Sequence, residues 1–162
     1  MLRHFCRIRQ FCIHVEADAL NAVFVYGSLM FDPVWGKVVQ GSYQSFPAIA
    51  LNFVRLAVPG ETYPAAAQME GAYIHGLVWQ DVSQSDLKRL DAFEGGEYSR
   101  VPIVVTPQSC IGVNQLDLVP WQAWMYVWNE LDLLDFSKLW DLERFKSEGL
   151  PQFLNKHVGS WQ

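Results

Sequence analysis

Residues 71–80, Gly-Ala-Tyr-Ile-His-Gly-Leu-Val-Trp-Gln, constrain the fold more than any other stretch of the chain. A two-residue period divides them into two faces. Tyr73, His75, Leu77 and Trp79 lie on one, and Ala72, Ile74, Gly76 and Val78 on the other. Both faces are largely apolar, so the strand they predict must be covered on both sides. A second strand is predicted over residues 46–58, a long run rich in β-formers that Pro59-Gly60 ends. Shorter strands are expected at 22–26, 98–106 and 121–128.

Helices fall between these strands. Asp32-Pro33 fits a helix start, with Val34, Trp35, Val38 and Val39 following on one side. Ser83 and Asp86 have capping-box spacing and open a helix whose apolar face is Leu87, Leu90 and Phe93; Gly95-Gly96 stops it. Asp135 is placed to cap a final helix that packs Phe136, Leu139, Trp140 and Phe145 inward and ends at Gly149-Leu150-Pro151. Hairpin-like strand pairs mixed with helices predict an α+β fold rather than a βαβ repeat.

Composition bounds the function. At 162 residues, 51% hydrophobic and 18% charged, the chain has the size and make-up of one globular domain. Its 17 acids outnumber 12 bases, which disfavours a nucleic-acid partner. No apolar stretch is long enough for a membrane helix. The first fifteen residues carry +3 from Arg3, Arg7 and Arg9, leaving −8 for residues 16–162. We read residues 1–21 as an N-terminal extension and 22–162 as a single domain. A basic, acid-free start is also one feature of an organelle transit peptide. The three cysteines, Cys6, Cys12 and Cys110, are too few and too oddly placed for a disulfide framework, which points to a reducing cytoplasm. The four histidines form no metal-ligand motif, so no metal site is expected.

Two places could carry chemistry. In Val23-Phe-Val-Tyr-Gly-Ser-Leu-Met30 a buried strand runs directly into a glycine turn. Glycine lets a ligand approach the chain closely, and backbone N–H groups there can hold a carboxylate or a developing oxyanion. An ordinary strand-ending turn has the same sequence. The second place is Glu94, at the C-terminal end of a capped helix and just before two glycines. The negative helix end and apolar neighbours both disfavour its charged form, moving it toward a general base for neutral pH. A solvated helix-end glutamate would also fit, and Glu97 is the competing acid. The paired glycines predict a loose turn after Glu94. Pro59–Ala65 suits a pocket rim, and the Tyr126 hydroxyl either meets a ligand or packs in the core.

Taken in order, Phe24-Val-Tyr-Gly-Ser-Leu, Tyr63-Pro-Ala, Gly76-Leu-Val-Trp, Leu90-Asp-x-x-Glu-Gly-x-x-Tyr-x-Arg100 and Ala123-Trp-x-Tyr126 resemble gamma-glutamylcyclotransferase-like proteins. That group includes gamma-glutamylamine cyclotransferases and the plant avirulence-induced proteins. The resemblance implies a small mixed β-barrel with flanking helices, acting on a small gamma-glutamyl substrate without a cofactor. It implies an enzyme in which the substrate's α-amine attacks its own γ-carbonyl and releases 5-oxoproline. Glu94 would be the base. Tyr26, Gly27, Ser28, Leu29, Met30 and Tyr126 would form the substrate pocket, with Tyr98 and Arg100 supporting the Glu94 turn. The identity of the leaving amine and the oligomeric state are not readable. Two alternatives stand beside this reading. One is a non-catalytic module binding a small ligand on the same fold. The other is a hydrolase using Ser28 with His75.

Overall fold

Residues 20–108 and 119–159 are described by the computed structural model. Five strands close into a barrel: β1 (Val23–Val25), β2 (Ser45–Ala57), β3 (Pro64–Trp79), β4 (Tyr98–Pro107) and β5 (Trp121–Trp128), in the order β1-β3-β2-β4-β5. Parallel pairing of β1 with β5 closes it; the other pairs are antiparallel. Closure removes exposed sheet edges, and the mixed barrel with helices is the α+β architecture expected from the resemblance. Among the described residues no helix is long and apolar enough to cross a membrane.

The strand over 71–80 is covered on its inner face, where Ile74 and Val78 are buried in the barrel interior, but its outer face is covered only at the end, where Trp79 stacks on Trp35 at 4.3 Å; Tyr73 and His75 are exposed, against the expectation of cover on both sides. It is longer than predicted, because β3 begins at Pro64. Gly71 is a bend within the hairpin rather than a strand start. Its φ is +78° and its N–H donates to Asn52 Oδ1 at a register shift between Leu51 and Phe53.

Helix α1 (Asp32–Val38) starts at the expected Asp-Pro and buries Val34, Trp35 and Val38 against β1 and β3 residues in one core cluster. Helix α2 (Gln84–Glu94) is capped by Ser83, whose hydroxyl accepts from Asp86 N–H at 3.2 Å. It ends at Gly95, whose φ of +69° suits a residue without Cβ, and whose N–H returns to Asp91 O.

The C-terminal part differs from expectation. Asp135 caps no helix: its carboxylate accepts from Ser137 in an isolated turn, and Phe136 and Leu139 are exposed. The real cap is Asp141, accepting from Arg144 N–H at 3.0 Å. From there α3 (Leu142–Arg144), a wide-turn segment (Phe145–Gly149), α4 (Leu150–Phe153) and a second wide-turn segment (Leu154–Val158) follow without a break. Pro151 does not end this run. Leu150 N–H already reaches five residues back to Phe145 O, so the missing proline donor falls at the seam where α4 begins.

Residues 1–19 and 109–118, with Cys6, Cys12 and Cys110, lie outside the described residues. Leu20 and Asn21 belong to the folded body. Leu20 is buried and its carbonyl accepts from Trp124 Nε1, and Asn21 O accepts from Val82 N–H.

Candidate functional site

One end of the barrel opens into a cavity of about 210 Å³. Its floor is the exit of β1, Tyr26 through Leu29. Glu94 and Phe93 enter from the end of α2, Glu97 and Tyr98 from the start of β4, and Tyr126 from β5. Tyr63 and Pro64 come from the entry to β3, and Phe153 and His157 from the C-terminal run. The expected pocket residues Tyr26, Gly27, Ser28, Leu29 and Tyr126 therefore share one cavity with Glu94. Met30 does not line it; its side chain packs against the neighbouring core. His75 is also absent from the lining. It sits exposed on β3 beside Gln108, which leaves Ser28 without that partner and removes the basis for the hydrolase alternative.

Close packing fixes the floor. A Cβ at Gly27 would stand 2.7 Å from Pro64 Cγ, so only glycine allows this approach of the chain to β3. Tyr26 is pinned at both ends: its carbonyl accepts from Arg55 Nη1 at 2.7 Å, and its hydroxyl donates to Tyr126 O at 2.7 Å and accepts from Ala66 N–H. A short 3-10 turn follows at Ser28–Met30, in which Met30 N–H donates to Gly27 O. The N–H groups of Gly27, Ser28 and Leu29 precede the first bond of that turn, and find no acceptor among the described residues. All three residues line the cavity.

The cavity also holds acceptors. Glu94 forms no hydrogen bond and no ion pair among the described residues, though it is partly buried. Burial pushes its carboxyl from 4.5 up to about 8. Its charge is felt by four tyrosines, Tyr26, Tyr63, Tyr98 and Tyr126, whose hydroxyls are shifted up mainly by burial and further by Glu94. None of the four donates to it. Tyr26 donates to Tyr126 O, Tyr63 to Glu97 Oε2 at 3.3 Å, Tyr98 to Pro64 O at 2.8 Å, and Tyr126 to Asp91 Oδ1 at 2.8 Å. With every tyrosine proton placed elsewhere, the carboxyl keeps its raised affinity for a proton.

The turn after Glu94 is not loose. Asn129 Nδ2 donates to Gly96 O, and Asn129 N–H to Glu97 O. Arg100 does not reach Glu94 but pairs with Asp91, Nε to Oδ1 at 3.1 Å, while lying over the Trp124 ring. Tyr98 lines the cavity as well as bracing Pro64.

Sequence reasoning missed Asp91, Phe153 and His157. Asp91 could have been found from its i, i+3 spacing to Glu94 on one helix face. Phe153 and His157 carried no local signal. Their rings meet each other at 4.8 Å and Tyr63 at 6.2 and 5.6 Å, forming an aromatic wall. Burial, then the Lys156 charge, lowers the His157 pKa despite Glu61 at 3.7 Å. Among the described residues no group of three or more His, Cys, Asp or Glu is placed to hold a metal.

A closed barrel whose end cavity is lined both by the residues of three unbonded amides and by an unpaired carboxyl has the make-up of a candidate small-molecule site. A family model described as "Gamma-glutamyl cyclotransferase, AIG2-like" matches residues 23–146, and the chain belongs to that family. AIG2-like protein D of Arabidopsis thaliana is 31% identical over 137 residues, covering 83% of this chain and 85% of the relative. A solution structure of an Arabidopsis thaliana protein aligns with a TM-score of 0.61 at 25% identity, covering 86% of this chain and 89% of that one. A solved structure named gamma-glutamyl cyclotransferase shares the fold, with a TM-score of 0.56 at 16% identity over 88% of each chain.

Proposed function

We propose that this chain catalyses gamma-glutamyl cyclotransfer on a small gamma-glutamyl amine, amino acid or peptide. The observation that carries the reading is the unpaired Glu94 carboxyl in the same cavity as the Gly27–Leu29 amides. In the reaction the α-nitrogen attacks the γ-carbonyl carbon, the bond from that carbon to the leaving nitrogen breaks, and 5-oxoproline departs with the free amine. Glu94 takes a proton from the α-nitrogen and returns one to the leaving nitrogen. General acid–base help of this kind contributes roughly 10²–10⁴-fold.

Each group has a task. The amides of Gly27, Ser28 and Leu29 suit the substrate carboxylate and the oxygen that becomes negative at the γ-carbon; one such donor is worth about 3–4 kcal/mol in the transition state. Glu94 and the tyrosine oxygens suit the α-ammonium. The attack is intramolecular, so a cavity this small contributes by holding the glutamyl chain folded. A bound ammonium also lowers the carboxyl's proton affinity and so generates the base where it is needed. A module that only bound anions would gain nothing from an unpaired carboxyl in its pocket.

The test is a panel of gamma-glutamyl compounds scored for 5-oxoproline by mass spectrometry, with Glu94→Gln beside the wild type. We expect release with at least one class of leaving amine, and none above background in the variant. Turnover unchanged by Glu94→Gln would overturn the role of Glu94.

A further inference from the structure

The Tyr126 hydroxyl has one proton, and Asp91 Oδ1 holds it at 2.8 Å. Toward anything in the cavity this hydroxyl can therefore act only as an acceptor. Asp91 is itself fixed by Arg100, whose Nε reaches the same Oδ1 at 3.1 Å and whose guanidinium lies 4.8 Å from the Trp124 ring centroid. Arg100 and Tyr126 are direct cross-strand neighbours on β4 and β5. Asp91 precedes Glu94 by three residues, on the same face of α2. A chain of three side chains thus runs from the barrel wall to the helix that carries Glu94.

We propose that Asp91 is a positioning residue that makes Tyr126 an obligate acceptor and thereby selects ligands carrying an ammonium beside Glu94. The inference rests on reading the cavity as a gamma-glutamyl site. It adds a group that touches no substrate, and it assigns a direction to a hydrogen bond. A hydroxyl with a free proton would instead accept a ligand lacking the amine, and would offer Glu94 a bond that lowers its readiness to take a proton. The other groups facing Glu94 do not substitute for Tyr126. The Tyr26 hydroxyl already donates and accepts, and those of Tyr63 and Tyr98 are committed to Glu97 and Pro64. His157 Nε2 makes no hydrogen bond among the described residues and lies 3.7 Å from Glu61.

The variant Asp91→Leu separates this role from simple bracing. Arg100 and Tyr126 both use Oδ1, so an amide oxygen there would still accept from each, whereas leucine removes the acceptor and releases the tyrosine proton toward the cavity. The probes are L-glutamine, which carries the α-amine and a γ-amide, and its des-amino counterpart glutaramic acid. Binding to the full-length protein is measured by calorimetry, so the result does not depend on turnover. In the wild type L-glutamine should bind at least tenfold tighter than glutaramic acid. In Asp91→Leu, and in Tyr126→Phe, that preference should shrink about tenfold or more, as expected for loss of a hydrogen bond to a charged group. Asp91→Glu, which keeps the acceptor, should restore much of it, and the double variant should be no worse than Tyr126→Phe alone.

If 5-oxoproline is released, the acid limb of kcat/KM should also move to lower pH in Asp91→Leu. Equal weakening of both probes would mean that Asp91 only braces the helix, and would overturn the proposal. So would a wild type with no preference for the amine, or a variant that keeps the preference intact. A protein that shows the preference but turns over no gamma-glutamyl compound would leave this inference standing and defeat the cyclotransfer reading.

Discussion

Helix α2 carries two carboxylates, Asp86 in its first turn and Glu94 in its last, with opposite fates. Asp86 is only 2% exposed, yet its pKa is lowered. Burial alone would raise it. The Tyr43 hydroxyl at 2.6 Å and the Gln40 and Gly41 N–H groups at 3.0 and 2.9 Å, with Arg89 near, outweigh burial. Glu94 is the more exposed of the two, yet burial raises its pKa to about 8 because nothing donates to it. The helix dipole adds to the contrast, favouring an anion at the first turn and opposing it at the last. Partners, rather than depth, decide whether a carboxyl here is a structural rivet or a base.

The largest effect should come from deleting the base. Glu94→Gln is expected to lower kcat by about 10²–10⁴-fold with the fold intact by circular dichroism. In the wild type kcat/KM should climb about tenfold per pH unit below a limb near pH 8, and level off above it, because the free enzyme must lose the Glu94 proton. A flat profile between pH 6 and 8 would break the contrast with Asp86. Next is Asp86→Ala, which strands two N–H groups and a tyrosine hydroxyl. It should cost on the order of 2–4 kcal/mol in urea unfolding, with activity per folded molecule retained.

Stability should then move oppositely at the two sites as pH changes. The folded state holds the Glu94 proton more tightly than the unfolded chain, so wild-type stability falls as pH rises from about 4.5 to about 8. Glu94→Gln removes that loss. It should be the more stable protein at pH 8, on the order of 2–3 kcal/mol given the partial exposure of the residue, and equal to wild type near pH 4. Asp86 has the reverse sign: its contribution is present above the ordinary aspartate pKa and is lost as pH falls through its depressed one. The smallest expected effect is Gly95→Ala. An alanine Cβ at a φ of +69° should cost about 1 kcal/mol, measured as a small drop in unfolding midpoint.

Much of this contrast was legible in the sequence. Ser83 and Asp86 announced the helix start, Gly95 its end, and Glu94 stood at the unfavourable pole. The strands were legible from their runs of β-formers, although in 71–80 the apolar outer face overstated the burial, since Tyr73 and His75 are exposed. What stayed hidden depended on partners distant in sequence. Tyr43 reaches Asp86 across forty-three residues, and Tyr126 reaches Asp91 across thirty-five. The direction of those bonds is set by the fold and not by spacing. The C-terminal run was misread because Asp135 and Asp141 both look like caps, and because Pro151 reads as a stop unless the preceding turns are wide.

The wide turns bear on how such a cavity can diversify. Its floor and its carboxyl come from strands and a capped helix that close on one another, so a change there disturbs the barrel. The wall of Phe153 and His157 comes from a tail laid over the barrel end after the last strand. Phe145, Phe153 and Val158 of that tail share one buried cluster with Leu29 and Leu90, so the wall also props the amide loop and the helix that carries Glu94. A change in the wall is thus felt at the floor as well.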